Sequence, residues 1–152
     1  MIYLLDTDTF IFMVRGLKNR PNANERQRTR QAMARRILNR CQKCKFEEDE
    51  IALSAVTVAE LEYGAQNSGD YDGEMDLVRR AMTPFARLSF DADDCAAHYG
   101  KIRHALETAG NSIGSLDTLI AAHALSLGAT LVTDNTDEFS RVPTLRCQNW
   151  AN

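Results

Sequence analysis

The sequence has no apolar run long enough to cross a membrane, although 44% of its 152 residues are hydrophobic and 26% are charged. A membrane-spanning helix needs about 20 consecutive apolar residues. The first ten residues, MIYLLDTDTF, also lack the pattern of a secretory signal peptide, because charge arrives at Asp6. These absences exclude membrane-embedded and secreted classes, and they predict a cytoplasmic protein without a membrane partner.

Cysteine is scarce, and the four cysteines do not form a recognisable metal site. Only Cys41 and Cys44, in CQKC, have the spacing of a ligand pair, and neither a second pair nor a histidine lies nearby. The pair lies in a basic helical segment and not after a strand, which disfavours a thioredoxin-like redox motif. We therefore expect reduced thiols. The histidines fall within helical patterns at no consistent spacing to the acids, so we expect them to be structural or surface residues; they are His98, His104 and His123.

The sequence contains neither an internal repeat nor a low-complexity linker, and its length suits one domain, residues 1–152. Predicted strands alternate with helices, which is typical of an α/β fold with a parallel sheet. The strands are predicted at 2–6, 50–56, 86–90, 129–133 and, at an edge, 144–150. The helices are predicted at 9–16, 24–44, from Thr57 onward, 73–82, 91–110 and 115–128, with Ser115 as an N-cap and Gly110 and Gly128 just past the helix ends.

The net charge of −3 conceals a strong asymmetry. Residues 15–45 hold eleven basic side chains and one acid, a net charge of +10, so the rest of the chain carries −13. The basic helical segment, at about 17–46, is either a solvated helix or a surface that contacts phosphates. If it contacts RNA, replacing Arg28, Arg35 and Arg36 with Gln should flatten the salt dependence of binding; if these arginines pair with acids or a partner subunit, stability or oligomeric state should change instead.

Four acids fall at comparable places in the predicted fold. Asp6 ends the first strand, Glu60 follows the second, Asp117 lies in the first turn of a helix, and Asp134 follows the fourth strand. Because the carboxyl ends of parallel strands share one edge of a sheet, these side chains can meet in one crevice. Clustered carboxylates repel one another unless a divalent cation lies among them. The pattern therefore predicts a site for Mg²⁺, with Mn²⁺ as the alternative ion.

Each acid also has a simpler explanation. Thr57 and Glu60 have the spacing of a capping box, and Asp117 suits a helix N-terminus. The stretch TDNTDEF, 133–139, could be only a turn. Single explanations of this kind do not account for the recurrence of acids at one edge of the sheet.

The chain resembles the PIN-domain ribonucleases, and within them the VapC-like toxins of toxin–antitoxin pairs. The resemblance rests on three stretches: LLDTDTF, SAVTVAELEYGA and IGSLDTLIAAHALSLGATLVTDNTDEFSRVPTLRCQNW. The last stretch is the most specific, since an acid, an Ile-Ala-Ala helix, a strand and a Thr-led acidic loop follow one another as in that family.

The resemblance implies an α/β/α sandwich with the activity of a metal-dependent endoribonuclease, a homodimer, and inhibition by a VapB-like antitoxin. It implies that Asp6, Glu60 and Asp117 bind metal, and that Thr7 and Thr133 support the site. RNA would be hydrolysed by water at one or two Mg²⁺ or Mn²⁺ ions, leaving 5′-phosphate and 3′-hydroxyl ends. A basic or polar antitoxin tail is expected to enter the acidic crevice and to pack on apolar helix faces such as Phe10, Phe12 and Met13.

The chain departs from the family pattern at three places. Asp8 stands where such toxins often have Asn, and the expected position of the fourth acid holds Asn135. Either Asp134 or Asp137 could complete the metal site or orient the water. The basic segment also makes the spacing between Asp6 and Glu60 longer than in a compact toxin.

Two other classes share some of these features. DTDT resembles the motif of haloacid-dehalogenase-like phosphatases, but the position of the motif's threonine is Phe10. A non-catalytic receiver-like signalling domain would also be a small α/β protein with an acidic pocket. Both classes need a lysine near the sheet edge, and the only lysine beyond residue 45 is Lys101, inside a helical pattern.

Overall fold

The centre of the fold is a five-stranded sheet in which every neighbouring pair of strands is parallel. The computed structural model describes residues 1–18 and 20–152, so residue 19 of the predicted basic segment lies outside the described residues. The strands are β1 (Ile2–Leu5), β2 (Glu50–Ser54), β3 (Ala86–Leu88), β4 (Thr130–Val132) and β5 (Arg146–Gln148). They lie in the order β3-β2-β1-β4-β5. The predicted α/β fold with a mainly parallel sheet is confirmed.

Helices cover both faces of the sheet, since successive strand side chains point to opposite faces. Leu5 packs in a core cluster with α1 to α4, whereas Leu4 packs with α5, α6 and the short α7. The three layers of the expected α/β/α sandwich are therefore present. The helices are α1 (Thr7–Gly16), α2 (Glu25–Phe46), α3 (Ala55–Asn67), α4 (Tyr71–Met82), α5 (Asp94–Thr108), α6 (Ser115–Leu127) and α7 (Thr136–Phe139).

The strand order creates a crevice at the carboxyl end of the sheet. The chain adds strands on one side of β1 as far as β3 and then returns to place β4 on the other side of β1. In open α/β sheets, ligands bind outside the strand ends at such a switch point. Asp6 follows β1 at this point, and its backbone N–H donates to the Val132 carbonyl of β4 at 3.0 Å.

The boundary between β2 and α3 differs from the prediction. The strand ends at Ser54 and the helix begins at Ala55, two residues before Thr57. The cause is local, because the Ser54 side chain accepts a hydrogen bond from the backbone of Val56 at 3.1 Å and so caps the helix. Since Thr57 lies inside α3, the capping-box explanation for Thr57 and Glu60 was wrong.

One further boundary was predicted incorrectly: Gly114, not Ser115, occupies the N-cap position of α6, and no side chain caps that helix. The stretch 133–139, for which a simple turn was the alternative explanation, contains one helical turn, α7, whose Phe139 is buried in the same core cluster as α6. The predicted stop at Gly128 is confirmed, because this residue has the left-handed φ of +62° that glycine adopts without strain.

One side chain that was predicted to contact a partner is buried. Phe10 is 0% exposed and packs edge-on against Phe85, with ring centroids 5.7 Å apart. The expectation that a partner's tail contacts Phe10 was therefore wrong. All four cysteines are free, as predicted, and Cys41 and Cys44 face the core. Within the described residues, none of the helices combines the length and apolar character needed to cross a membrane.

Candidate active site

Asp6 is the most enclosed acid at the carboxyl end of the sheet. Its side chain is 4% exposed and caps α1, with Oδ1 accepting a hydrogen bond from the Thr9 N–H at 2.8 Å. Burial raises the pKa of Asp6, and hydrogen bonds from Thr133 and Thr9 partly offset that rise. The strand that ends in a charge thus continues directly into a helix, and the carboxylate serves as that helix's cap.

Glu60 is held by the residue that follows Asp6. Thr7 donates a hydrogen bond from Oγ1 to Glu60 Oε1 at 2.7 Å, and its oxygen lies 3.0 Å from the Thr57 hydroxyl. One hydroxyl has one proton, so Thr57 donates to Thr7 while Thr7 donates to Glu60. This chain of hydroxyls joins the start of α1 to the first turns of α3 and fixes the Glu60 carboxylate at the first residue of α1.

Asp117 lies in the first turn of α6 and is half-buried. Its pKa is raised to about 6, first by burial and then by the negative charges around it. Those charges, in order of their effect, belong to Glu138, Asp6, Asp8 and Glu60. The structure therefore brings Asp6, Glu60 and Asp117 to one place, as the predicted strand ends imply.

Glu138 is the site acid that the sequence analysis missed. The Asn135 side-chain amide donates to its Oε2 at 2.6 Å, and the Gly114 backbone N–H donates to its Oε1 at 3.2 Å. These bonds tie α7 to the loop that precedes α6 and hold Glu138 where its charge raises the pKa of Asp117. One feature of the sequence could have suggested it: Asn135 and Glu138 are three residues apart and therefore share a face of a helical turn.

Asp134 and Asp137 lie farther out. Both side chains are exposed, and neither belongs to the four carboxylates with the largest effect on Asp117. Asp134 instead lines, together with Asp8, a cavity of about 520 Å³ between α1 and α2. The assignment of either residue to a metal site stays a prediction.

The charge at this site is not balanced by protein groups. Within the residues the structure describes, no lysine, arginine or histidine forms an ion pair with the clustered acids. The donor set consists of carboxylate and hydroxyl oxygens, which suits a hard cation such as Mg²⁺. In the same part of the chain, no three carboxylate, imidazole or thiol groups form a ready-made chelating set. Mg²⁺ tolerates this arrangement, because it usually binds one or two carboxylates and keeps several waters.

A buried histidine lies beneath the site and outside its chemistry. The His123 ring nitrogen Nδ1 lies 2.7 Å from the Ser54 hydroxyl, and Phe90 packs edge-on against the imidazole. Burial lowers the pKa of His123, so the ring is neutral at pH 7. The contact joins α6 to the Ser54 cap of α3, which matches the structural role predicted for this histidine.

Comparison with known proteins identifies the family of the chain. A sequence-family model described as PIN domain matches residues 3–145. Ribonuclease VapC1 of Haemophilus influenzae strain R2866 is 33% identical over 150 residues, which cover 99% of this chain and 98% of that protein. The tRNA(fMet)-specific endonuclease VapC of Shigella flexneri is 35% identical over 149 residues, which cover 98% of each.

A solved structure extends the likeness to the whole fold. The VapBC2 complex from Rickettsia felis, bound to a DNA fragment from its promoter, contains a chain that superposes with a TM-score of 0.83. That chain is 30% identical, and the match covers 99% of both chains. The basic segment is therefore included in the shared fold.

Proposed function

The chain belongs to the PIN domain family and, within it, to the VapC ribonucleases, and from this premise we propose that it is a toxin endoribonuclease that hydrolyses RNA and is neutralised by a cognate antitoxin. Hydrolysis would depend on Mg²⁺, or on Mn²⁺ in its place. The same family membership leaves the phosphatase and the receiver-like alternatives without support.

The observation that carries this proposal is the uncompensated cluster of acids at the switch point of the sheet. A stabilising role alone does not explain why Glu138, Asp6, Asp8 and Glu60 all raise the pKa of Asp117. Accumulated like charge destabilises the apo fold, and a bound divalent cation reverses that effect. The cost in stability is therefore expected at a functional site.

We assign the metal to the oxygens of Asp6, Glu60 and Asp117, with Glu138, the charged group that most raises the pKa of Asp117, as the additional carboxylate. When bound, such an ion supplies charge stabilisation for the phosphodiester and an activated water. The chain's own residues hold these oxygens in place: the Thr9 N–H fixes Asp6, and the Thr7 hydroxyl fixes Glu60. Because the nucleophile is water, the chemistry does not need the substrate's 2′-hydroxyl.

The antitoxin is proposed to use two features of the surface. A basic or polar tail fits the acidic crevice, where an arginine gains charge-assisted hydrogen bonds to carboxylates. The apolar remainder fits a cavity of about 820 Å³ that is lined by α1, α2 and α4 and includes the partly exposed Val14, Leu38 and Leu77. Support comes from the relative from Rickettsia felis, whose solved structure is a VapBC complex. The expected homodimer stays a prediction.

The proposal is tested by metal-dependent cleavage. The purified chain should cleave single-stranded RNA with Mg²⁺ or Mn²⁺ and should stop in EDTA. Asp6→Asn and Glu60→Gln remove one ligand charge each with little change in shape, so each should lower the cleavage rate roughly 100-fold or more. Circular dichroism checks that both variants are folded.

The matched control is Asp72→Asn, which removes one carboxylate charge from the exposed first turn of α4. Its cleavage rate should equal that of the parent. Undiminished cleavage in EDTA by a preparation free of contaminating nucleases would contradict the metal mechanism. Full activity of Glu60→Gln would remove Glu60 from the site.

A further inference from the structure

A groove between α1 and α2 begins at the acidic site and becomes basic away from it. We define the α1–α2 groove by the residues that line its cavity of about 520 Å³, which include Asp8, Phe12, Arg15, Arg20, Gln27, Arg30, Gln31 and Asp134. We propose that this groove holds single-stranded RNA on one side of the cleavage point, with its arginines on the phosphates. The inference rests on the proposed function. It specifies where the RNA lies next to the site, namely along α1 and α2.

The spacing on α1 explains why the groove changes charge along its length. Asp8, Phe12 and Arg15 are separated by four and three residues, so they lie along one face of the helix. Asp8 is close enough to Asp117 to raise its pKa, which places the acidic end at the active site. Arg15 lies about 10 Å farther along the helix axis, at a rise of about 1.5 Å per residue.

The opposite wall comes from α2, where Gln27, Arg30 and Gln31 share one face by the same spacing. The two helices touch closely at the far end of the groove. A Cβ placed on Gly16 would lie 2.5 Å from the Ala34 Cβ and 3.1 Å from the Arg30 carbonyl oxygen. Glycine at this position therefore lets α1 and α2 close the end of the groove and brings Arg15 and Arg30 to the same place.

The structure divides the basic segment into two sets. Arg36 donates to the Ala151 carbonyl at 3.0 Å, and Arg40 donates to Gln148 and stacks over the Trp150 ring. These two arginines fasten the C-terminal residues to α2. A substitution that includes Arg36, such as the triple change suggested by the sequence, would therefore disturb the fold as well as any RNA contact.

The second set faces the groove and remains available for a ligand. Within the described part of the chain, Arg15, Arg20 and Arg30 form no ion pair, and all three side chains are exposed. Phe12 lies between them and the acids and is partly exposed. A phosphate chain needs the cations, whereas unstacked bases need an aromatic face and amide edges. Phe12 supplies that face. Gln31 and the NH₂ group of Gln27, whose Oε1 accepts a hydrogen bond from the Asn24 N–H, supply those edges, which an acidic protein segment would not require.

The test measures RNA binding by a protein that cannot cleave it. We use the full chain with Asp6→Asn, because Asn retains the cap of α1 while a ligand charge is lost. A single-stranded RNA oligonucleotide is titrated across a salt series. The groove variant adds Arg15→Gln, Arg20→Gln and Arg30→Gln. The control variant adds Arg26→Gln, Arg87→Gln and Lys101→Gln, which remove the same charge from exposed positions outside the groove.

We expect the salt slope of the groove variant to flatten by about 2, since each lost phosphate contact contributes about 0.7 for single strands. The control variant should keep the parent slope. Phe12→Leu should weaken binding roughly fivefold or more at every salt concentration without changing the slope, because it removes stacking and not charge.

Equal slopes for the groove and control variants would overturn the inference. If the groove variant keeps the RNA slope but is no longer inhibited by the antitoxin, in the cleavage-competent background, the groove binds an acidic protein segment instead, which also overturns it. A parent chain that neither binds nor cleaves RNA would contradict the proposed function itself. If the parent cleaves RNA but the groove variant binds RNA with the parent's salt dependence, only the groove inference is contradicted.

Discussion

At the scale of single residues, two aspartates of the site are raised in pKa for different reasons. Asp6 is almost fully buried, and hydrogen bonds from Thr9 and Thr133 act against the effect of burial. Asp117 is only half-buried, and after burial the largest causes of its raised pKa are charged neighbours. The protonation of Asp117 is therefore the more sensitive measure of how many carboxylates surround the site.

Glu138→Gln should lower the pKa of Asp117 from about 6 toward the usual range, because Glu138 has the largest effect among its charged neighbours. Burial persists in this variant, so the shift should be partial. The measurement is a carbon-13 NMR titration of the Asp117 carboxyl in metal-free protein. Asp137→Asn, which neutralises the adjacent exposed acid, should leave that pKa nearly unchanged. An equal or larger shift in Asp137→Asn would remove Glu138 from the site.

The sequence predicted the residues that local position determines. Asp6, Glu60 and Asp117 follow predicted strands or begin a predicted helix, and parallel strands place such residues at one edge. Glu138 was not predicted, because its position depends on the Gly114 backbone, 24 residues earlier in the chain. The same holds for the hydrogen bond from Thr7 to Glu60, which spans 53 residues.

At the scale of elements, the glycines within helices differ in how closely a neighbouring helix approaches them. The closest approach is that of α2 to Gly16 of α1. Gly16 lies against Ala34 without room for a Cβ, whereas Gly100, in the middle of α5, has nothing within 4 Å of the equivalent position. The two glycines therefore differ in what an added methyl group would meet. Gly16 permits the close packing of α1 on α2, whereas Gly100 only lowers the stability of α5.

Gly16→Ala should destabilise the fold by about 1–3 kcal/mol, the usual cost of overpacking, because α1 and α2 must move apart. Gly100→Ala is the matched control and should stabilise the fold by about 0.5–1 kcal/mol, since alanine favours an exposed helix interior. Urea denaturation gives both free energies of unfolding. If Gly16→Ala is as stable as the parent, the helices are not in close contact there.

Element boundaries were predictable where the capping residue is local. Asn24 and Gln27 form a capping box at the start of α2, and Gly128 ends α6, both within one turn of the predicted bounds. The start of α3 was missed because Ser54, in the last position of a buried strand, also caps the helix. A hydrophobic pattern alone does not distinguish the end of such a strand from the first turn of the next helix.

At the scale of the whole molecule, the sequence predicted a parallel sheet but not its strand order. The pairing of β1 with β4 joins segments more than 120 residues apart, as in the register of Tyr3 with Thr130. No local pattern specifies such a pairing. It is nevertheless the pairing that creates the crevice between Asp6 and Thr133 and so turns scattered acids into one site.

Mg²⁺ should stabilise the whole fold, and this stabilisation should shrink as the pH falls through about 6. At about pH 7.5, ion at 100 times its dissociation constant adds about 2.7 kcal/mol, or roughly 5–10 °C in Tm for a chain of this length. The pKa of Asp117, about 6, lies above its unfolded value, so protonation between pH 6 and 4 stabilises the metal-free fold and opposes metal binding. Differential scanning calorimetry with Mg²⁺ or EDTA at about pH 7.5 and 5 measures both effects. In Asp117→Asn, the rise in Tm caused by Mg²⁺ should be smaller and should depend less on pH. If the rise in the parent is equal at both pH values, Asp117 does not bind the ion.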